Sequence, residues 1–263
     1  SKKPINVVCD GKEILLSPES VGDEAVMMAE KRKNVPILTG ADRFQTGRYA
    51  LKNYEIDTLI LDDGFQHLAL RRDLDILLCD HQRPLGNNYL FPAGELREPA
   101  CETRRADMVC FTRYSGGPVK FSPKYLGSIP QIKTHLRLDS IINMENGDVC
   151  DAEVLKGQPV IAFCGIAKPE GFRQVLQDVQ AQVKMFKAFP DHHEYSLNAV
   201  KELESIASKE GAKYILVSEK DAVKLKGMKF SLLFFKVVID LEILEGREIF
   251  NKKITTTTSR RGN

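Results

Sequence analysis

The run from Asp57 to His67, DTLILDDGFQH, constrains the fold more than any other stretch of this chain. An apolar, β-prone segment leads directly into two adjacent carboxylates and a glycine, the pattern of a strand that ends at a ligand-facing edge. In an open α/β sheet, ligands sit beyond the carboxyl ends of the strands, so Asp62 and Asp63 fall where a metal–nucleotide would be held. Adjacent carboxylates suit Mg2+, a hard cation that prefers oxygen ligands and keeps several waters. Asp-Gly is also ordinary turn chemistry, and the pair taken alone fits a capped turn equally well.

The residues around this run alternate between strand and helix periods. INVVC and EILLS flank Asp10-Gly11 and predict a hairpin; Asp23 to Lys33 predicts a helix, VPILT a strand, Ala41 to Asn53 a helix and DTLIL a strand. LDILLCD and DMVCFT follow as strands, separated by DHQRPLGNNYLFPAGELREP, a proline-bearing loop of a length that is more often functional than idle. Beyond a Gly/Pro/Ser-rich stretch at Ser115 to Pro130 come QIKTHLRL, PVIAFCG, a helix from Pro169 to Gln180, QVKMFKAF, a helix from Leu197 to Glu210, and KYILVS. This strand–helix–strand rhythm predicts a second α/β unit led by PVIAFCG. The expected organisation is a first domain over 1–150, a second, smaller α/β domain over 151–255 and a disordered polar tail over 256–263.

Composition narrows the function classes. Thirty-eight Lys and Arg against 36 Asp and Glu give a formal net charge of +2, so no global pull toward nucleic acid or an anionic membrane is implied. No apolar stretch approaches the roughly 18 residues that a membrane helix needs, and SKKPINVV lacks the apolar segment of a signal peptide, so a soluble chain is expected. The six cysteines show no CxxC or Cys/His spacing of a metal site and read as reduced core residues of a cytosolic protein.

Several polar clusters compete as site candidates. Gly22-Asp23-Glu24 opens a helix, where Asp is a good cap and acidic residues suit the positive end of the dipole. Arg43, and Arg97-Glu98 in FPAGELREP, are candidates for holding phosphate or for surface ion pairs of small worth. FPDHHEYS places Asp191, His192 and His193 after a strand, where a histidine beside an aspartate can orient a catalytic group and Asp191 can equally cap a helix. In VSEKDAVK, Glu219, Lys220 and Asp221 stand at another carboxyl edge, with a capped helix start as the simpler account.

The ordered set GDE, LILDDGFQH, FPAGELRE, GIAKPEGF, FPDHHEYS and SEKDAVK, from about Pro18 to Lys224, resembles the tetraacyldisaccharide 4′-kinase family, the lipid A kinases. The resemblance implies ATP-dependent phosphorylation of the 4′-hydroxyl of an acylated glucosamine disaccharide 1-phosphate. It also implies an α/β fold, a P-loop NTPase-like sheet with helices on both faces plus a smaller second α/β domain. By the same resemblance, Asp23 is the catalytic base, assisted by His192 and Asp191, with Glu24 beside it. Asp62 and Asp63 belong to Mg2+ and ATP; Gln66 and His67 line the nucleotide side, and Arg43 and Glu98 the substrate side. The intact protein is expected at the membrane surface, on the cytoplasmic side of the inner membrane, with no nucleic acid partner.

One departure from the family pattern stands out. No GxxxxGK[ST] loop occurs in these residues; Gly11-Lys12-Glu13 lacks both its spacing and its hydroxyl. The chain also begins at Ser1, and the expectation is a kinase that is N-terminally incomplete, lacks the P-loop strand, and is impaired in ATP binding. Ala25 stands where the family usually has proline. Two readings from other classes stay open: a metal-dependent phosphoesterase, from Asp62-Asp63, Asp80-His81 and Asp191-His192-His193, and a non-catalytic module that binds the lipid sugar.

Overall fold

A computed structural model describes residues 4–259 apart from Lys33 and His192. In chain order its elements are β1 (Ile5–Asp10), α1 (Pro18–Val21), α2 (Asp23–Lys31), β2 (Pro36–Gly40), α3 (Arg43–Asn53), β3 (Ile76–Asp80), β4 (Met108–Thr112), α4 (Pro123–Leu126), β5 (Gln131–Asn143), β6 (Val149–Asp151), β7 (Pro159–Cys164), α5 (Pro169–Asp178), β8 (Gln182–Ala188), α6 (Leu197–Lys209), β9 (Tyr214–Ser218), α7 (Glu219–Ala222), β10 (Phe234–Glu245) and α8 (Arg247–Ser259). None of the helices among the described residues is long and apolar enough to cross a membrane.

The chain forms two compact units, Ser1–Thr46 with Arg137–Asp240, and Gly47–Leu136 with Leu241–Asn263. In the first unit, β7 pairs in parallel with β8 on one side and β9 on the other, and β9 pairs in parallel with β10. Parallel neighbours cannot be joined by a tight turn, and α5 and α6 supply the crossovers. Pro169 sits in the first turn of α5, where its missing N–H costs nothing. Ser196 caps α6 by accepting from the Ala199 N–H at 3.2 Å. PVIAFC reads as one apolar run because β7 is covered on both faces, with Ile161 and Phe163 buried against Leu203, Val217 and Phe234.

A second cluster in this unit packs Val8 and Cys9 of β1 with Ala25, Val26 and Ala29 of α2 and with Val223. This contact explains why the expected division at residue 150 does not separate the two units. Residues from the start of the chain are buried against Val223, and the boundaries fall within α3, between Thr46 and Gly47, within β5, between Leu136 and Arg137, and within β10, between Asp240 and Leu241.

The hairpin expected at Asp10-Gly11 is replaced by a turn. The Asp10 carboxylate accepts from the N–H groups of Lys12 and Glu13 at 2.8 and 2.9 Å, and the Leu15 N–H reaches the Val8 carbonyl at 2.8 Å. The returning segment makes only one bridge, Cys9 with Ile14, before Pro18 starts α1. β1 takes its full antiparallel partner from β2 instead.

In the second unit β3, β4 and the start of β5 run parallel, Ile76 opposite Met108 and Val109 opposite Gln131. Val109 and Phe111 are fully buried, packed with Cys79, Ala106, Phe121 and Leu126. The strand expected at DTLIL is not formed: residues 58–61 are irregular, and Ile60 is 94% exposed. Strand propensity needs a neighbour to take its N–H and C=O groups, and no described strand pairs with this run. The long proline-bearing loop is pinned by its own bonds. The Asn87 amide reaches the Ala93 carbonyl at 3.1 Å, and the Phe91 N–H reaches the Leu96 carbonyl at 2.8 Å.

The disordered tail expected from residue 256 is also corrected, since α8 continues to Ser259. Its threonines bond back along the helix, Thr257 to the Lys253 carbonyl at 2.9 Å and Thr258 to the Ile254 carbonyl at 3.1 Å. The rest of that tail, 260–263, lies outside the described residues.

Candidate functional site

The carboxyl ends of β7, β8 and β9 deliver three loops, beginning at Gly165, Phe189 and Glu219, to the edge where a parallel sheet places its ligands. Gly22, with φ 93°, turns the chain from α1 into α2 and sets Asp23 and Glu24 in the first turn of that helix. Asp23 is buried to 9% exposure and is held by Lys224, whose Nζ lies 2.8 Å from Asp23 Oδ2. Lys220 Nζ bridges Glu24 Oε1 at 3.2 Å and Asp191 Oδ1 at 2.9 Å. Burial opposes the Lys220 charge, but its bonds to Asp191 and Glu24 outweigh it and raise the ammonium above its ordinary value.

Three of the expected catalytic and substrate residues, Asp23, Glu24 and Asp191, are thus brought together, and the groups that join them are lysines of SEKDAVK. The two lysines read locally as part of a capped helix start, which also exists: Ser218 Oγ accepts from the Asp221 N–H. Their spacing of i, i+4 was the available signal, since it puts both ammonium groups on one side of a helical turn. His192 lies outside the described residues. His193 stacks on Phe189 with ring centroids 4.4 Å apart and meets Tyr195 edge-on at 4.9 Å, a packing role. Arg43, at the start of α3, is exposed and donates to the Gly40 carbonyl.

The other expected residues lie in the second unit. Asp62 and Asp63 are exposed, and Asp63 takes a left-handed backbone at φ 49°, which Asp tolerates better than most residues. Gly64 is required by the turn, because a Cβ there would lie 2.8 Å from Leu61 Cβ. Arg97 grips Asp63 with one nitrogen, at 3.0 Å to Oδ1 and 2.8 Å to Oδ2. Arg105 forks onto Glu98 at 2.6 and 3.1 Å, reaches Glu102 at 2.8 Å and lies over the Phe65 ring. That bond, partly offset by burial and helped by Gln66, holds the Glu98 carboxyl below its ordinary value. Arg72 reaches the His67 carbonyl at 2.6 Å and pairs with Asp75, so the DDGFQH turn is anchored from its far side. Arg72 and Arg105 were not singled out from sequence.

No group of three or more His, Cys, Asp or Glu is arranged to hold a metal among the described residues. Asp62 and Asp63 alone are an all-oxygen pair, the donor chemistry by which Mg2+ is bound through one or two carboxylates with the remaining positions left to water and phosphate.

The sequence model of the family described as Tetraacyldisaccharide-1-P 4′-kinase matches residues 1–258. This chain belongs to that family. A tetraacyldisaccharide 4′-kinase of Syntrophus aciditrophicus is 40% identical over 241 residues, covering 87% of this chain and 64% of the relative. That of Pelobacter propionicus is 38% identical over 223 residues, covering 85% and 61%. The chain therefore spans less than two thirds of the length of these curated relatives. A solved structure of the family from Aquifex aeolicus, in complex with ATP, is 32% identical with a TM-score of 0.77 and covers 98% of this chain and 75% of that one. At that likeness the mixed α/β fold is that of a P-loop kinase, as the family resemblance implied.

Proposed function

We propose that this family member transfers the γ-phosphoryl group of ATP to the 4′-hydroxyl of a tetraacyldisaccharide 1-phosphate. The Asp23–Lys224 pair supports this reading most, because it fixes a buried carboxylate at the ligand edge of a parallel sheet. In the transfer, a bond forms between the 4′-oxygen and the γ-phosphorus, the bridging P–O bond to the β-phosphate breaks, and ADP leaves. Asp23 takes the hydroxyl proton, with Asp191 and His192 assisting. Glu24, Arg43 and Glu98 are assigned to the sugar phosphate, and Gln66 and His67 to the nucleotide. Phosphoryl transfer depends mainly on positioning and charge stabilisation. Asp62 and Asp63 would hold Mg2+, which when bound supplies charge for the phosphates; Arg97 already occupies Asp63 and would have to share it. The acyl chains of such a substrate would put the reaction at a membrane surface, and its need for ATP would put it on the cytoplasmic side of the inner membrane.

Because no GxxxxGK[ST] motif occurs in these 263 residues, the proposal includes weak nucleotide binding by this chain on its own. The test is ATP-dependent phosphate transfer to a tetraacyl disaccharide 1-phosphate, by this chain and by the chain extended to the full length of its relatives. Transfer by the extended form supports the assignment; transfer by neither, with the lipid still bound, favours a binding module. In the active form, Asp23→Ala is expected to lower kcat by about 100-fold or more while nucleotide affinity stays within about threefold. An unchanged kcat removes Asp23 from the base role.

A further inference from the structure

Asp221 is fully buried, and a carboxylate in that position is costly unless its lone pairs are taken up. Its Oδ2 accepts from the Gly165 N–H at 2.7 Å and from the Ser218 hydroxyl at 2.6 Å, while Oδ1 lies 3.6 Å from Lys224 Nζ. The buried negative charge is felt around it: burial and then Asp221 push the Cys164 thiol up to about 12, and the same two causes, in the same order, raise the Tyr195 phenol, so both stay protonated.

Lys224 is fixed on every side. It is 11% exposed, pairs with Asp23 Oδ2, donates to the His193 carbonyl at 3.1 Å and faces Asp221. Of the three N–H donors of an ammonium, two are aimed at Asp23 and the His193 carbonyl, and Asp221 Oδ1, which has no hydrogen-bond partner of its own among the described residues, faces the same charge at ion-pair distance. The space is tight as well: a Cβ on Gly165 would lie 3.0 Å from the Pro190 carbonyl, 3.1 Å from Asp221 Oδ1 and 3.2 Å from His193 Cβ. Three segments, following β8, following β9 and opening α2, therefore converge on one lysine, and the end of β7 holds Asp221 through the Gly165 N–H.

We propose that Lys224, anchored by the buried Asp221, is the positioning residue that holds the Asp23 carboxylate for proton acceptance. This deepens the kinase reading and rests on it. Without the ammonium, Asp23 loses the partner that fixes its Oδ2 and Asp221 loses the charge that its Oδ1 faces. An ion pair kept only for stability would show in unfolding; a positioning pair shows in kcat.

The experiment measures kcat, both KM values and thermal unfolding for Lys224→Met, Lys224→Arg, Asp23→Ala and Lys226→Met, in the form of the protein that is active in the transfer assay. Lys226 is the control, an exposed lysine paired with Glu30 at 3.3 Å that should leave kcat unchanged. K224M is expected to lose about 100-fold in kcat with KM values within about threefold, and K224R to recover about a tenth of the parental rate. In an Asp23→Ala background, K224M should have no further effect on kcat, because the lysine acts through that carboxylate. If Asp23→Ala remains active, the base assignment itself has failed. If Asp23→Ala is inactive and K224M keeps a parental kcat, the positioning role is overturned. Should K224M not fold, Ser218→Ala decides: it removes one donor to Asp221 and is expected to cost about tenfold in kcat at constant KM, whereas an unchanged kcat overturns the proposal.

Discussion

At the scale of single residues, several carboxylates of this protein are held by arginine and lysine partners, and the setting of each pair decides what it can do. Glu98 is forked by Arg105 and kept in its ionised form, whereas Asp63 is exposed and shares its partner Arg97 with solvent. The Arg105 bond lowers the Glu98 carboxyl below its ordinary value of 4.5, so the folded protein binds that proton less readily than the unfolded chain. Its contribution is present at and above the ordinary value and is lost as the pH falls through the lowered one. Glu98→Gln is therefore expected to lower Tm at pH 7 by about 2–4 °C. In melts run toward acid, that gap should close below pH 4.5. A gap that persists unchanged at low pH would show that shape, not charge, accounts for the loss.

At the scale of elements, burial separates the apolar runs that become strands from the one that does not. PVIAFC, YILVS and MVCFT are enclosed on both faces and form β7, β9 and β4, each with paired neighbours. DTLIL is a similarly β-prone apolar run with no described partner, leaving Ile60 94% and Leu59 40% exposed, and Leu78 of the edge strand β3 is 62% exposed. Exposed apolar β-prone segments and open edges are association hazards. The double variant Ile60→Lys, Leu78→Lys should change unfolding free energy by less than about 1 kcal/mol, because neither side chain is buried, while reducing concentration-dependent light scattering. A loss of stability typical of a core substitution, about 3 kcal/mol or more, would mean that these residues are packed in solution.

At the scale of the whole molecule, each of the two units carries two buried thiols, Cys9 and Cys164 in one and Cys79 and Cys110 in the other. Cys164 lies at the end of β7 in one unit and Cys79 in β3 of the other; burial is the first cause that pushes each up to about 12, while Cys101 is exposed. At pH 8 a thiol reagent should modify Cys101 first and reach Cys79 and Cys164 only when their units unfold, with peptide mapping along a urea series as the readout. Early labelling of either buried cysteine in native protein would contradict its enclosure. Much of this architecture could be read from local pattern, since the βαβ rhythm from Pro159 to Ser218, the GDE turn and the DDGFQH turn are all set by residues within a few positions of one another. The family, too, followed from motif order. Long-range contacts settled the rest. Whether DTLIL becomes a strand depends on a neighbour to take its backbone bonds, and whether a run belongs to one unit or the other depends on what buries it. Asp23 pairs with Lys224, far along the chain, because α2 packs beside the turn after β9. Local propensity acts over a handful of residues, whereas charge pairing and burial are fixed by which surfaces the folded chain brings into contact.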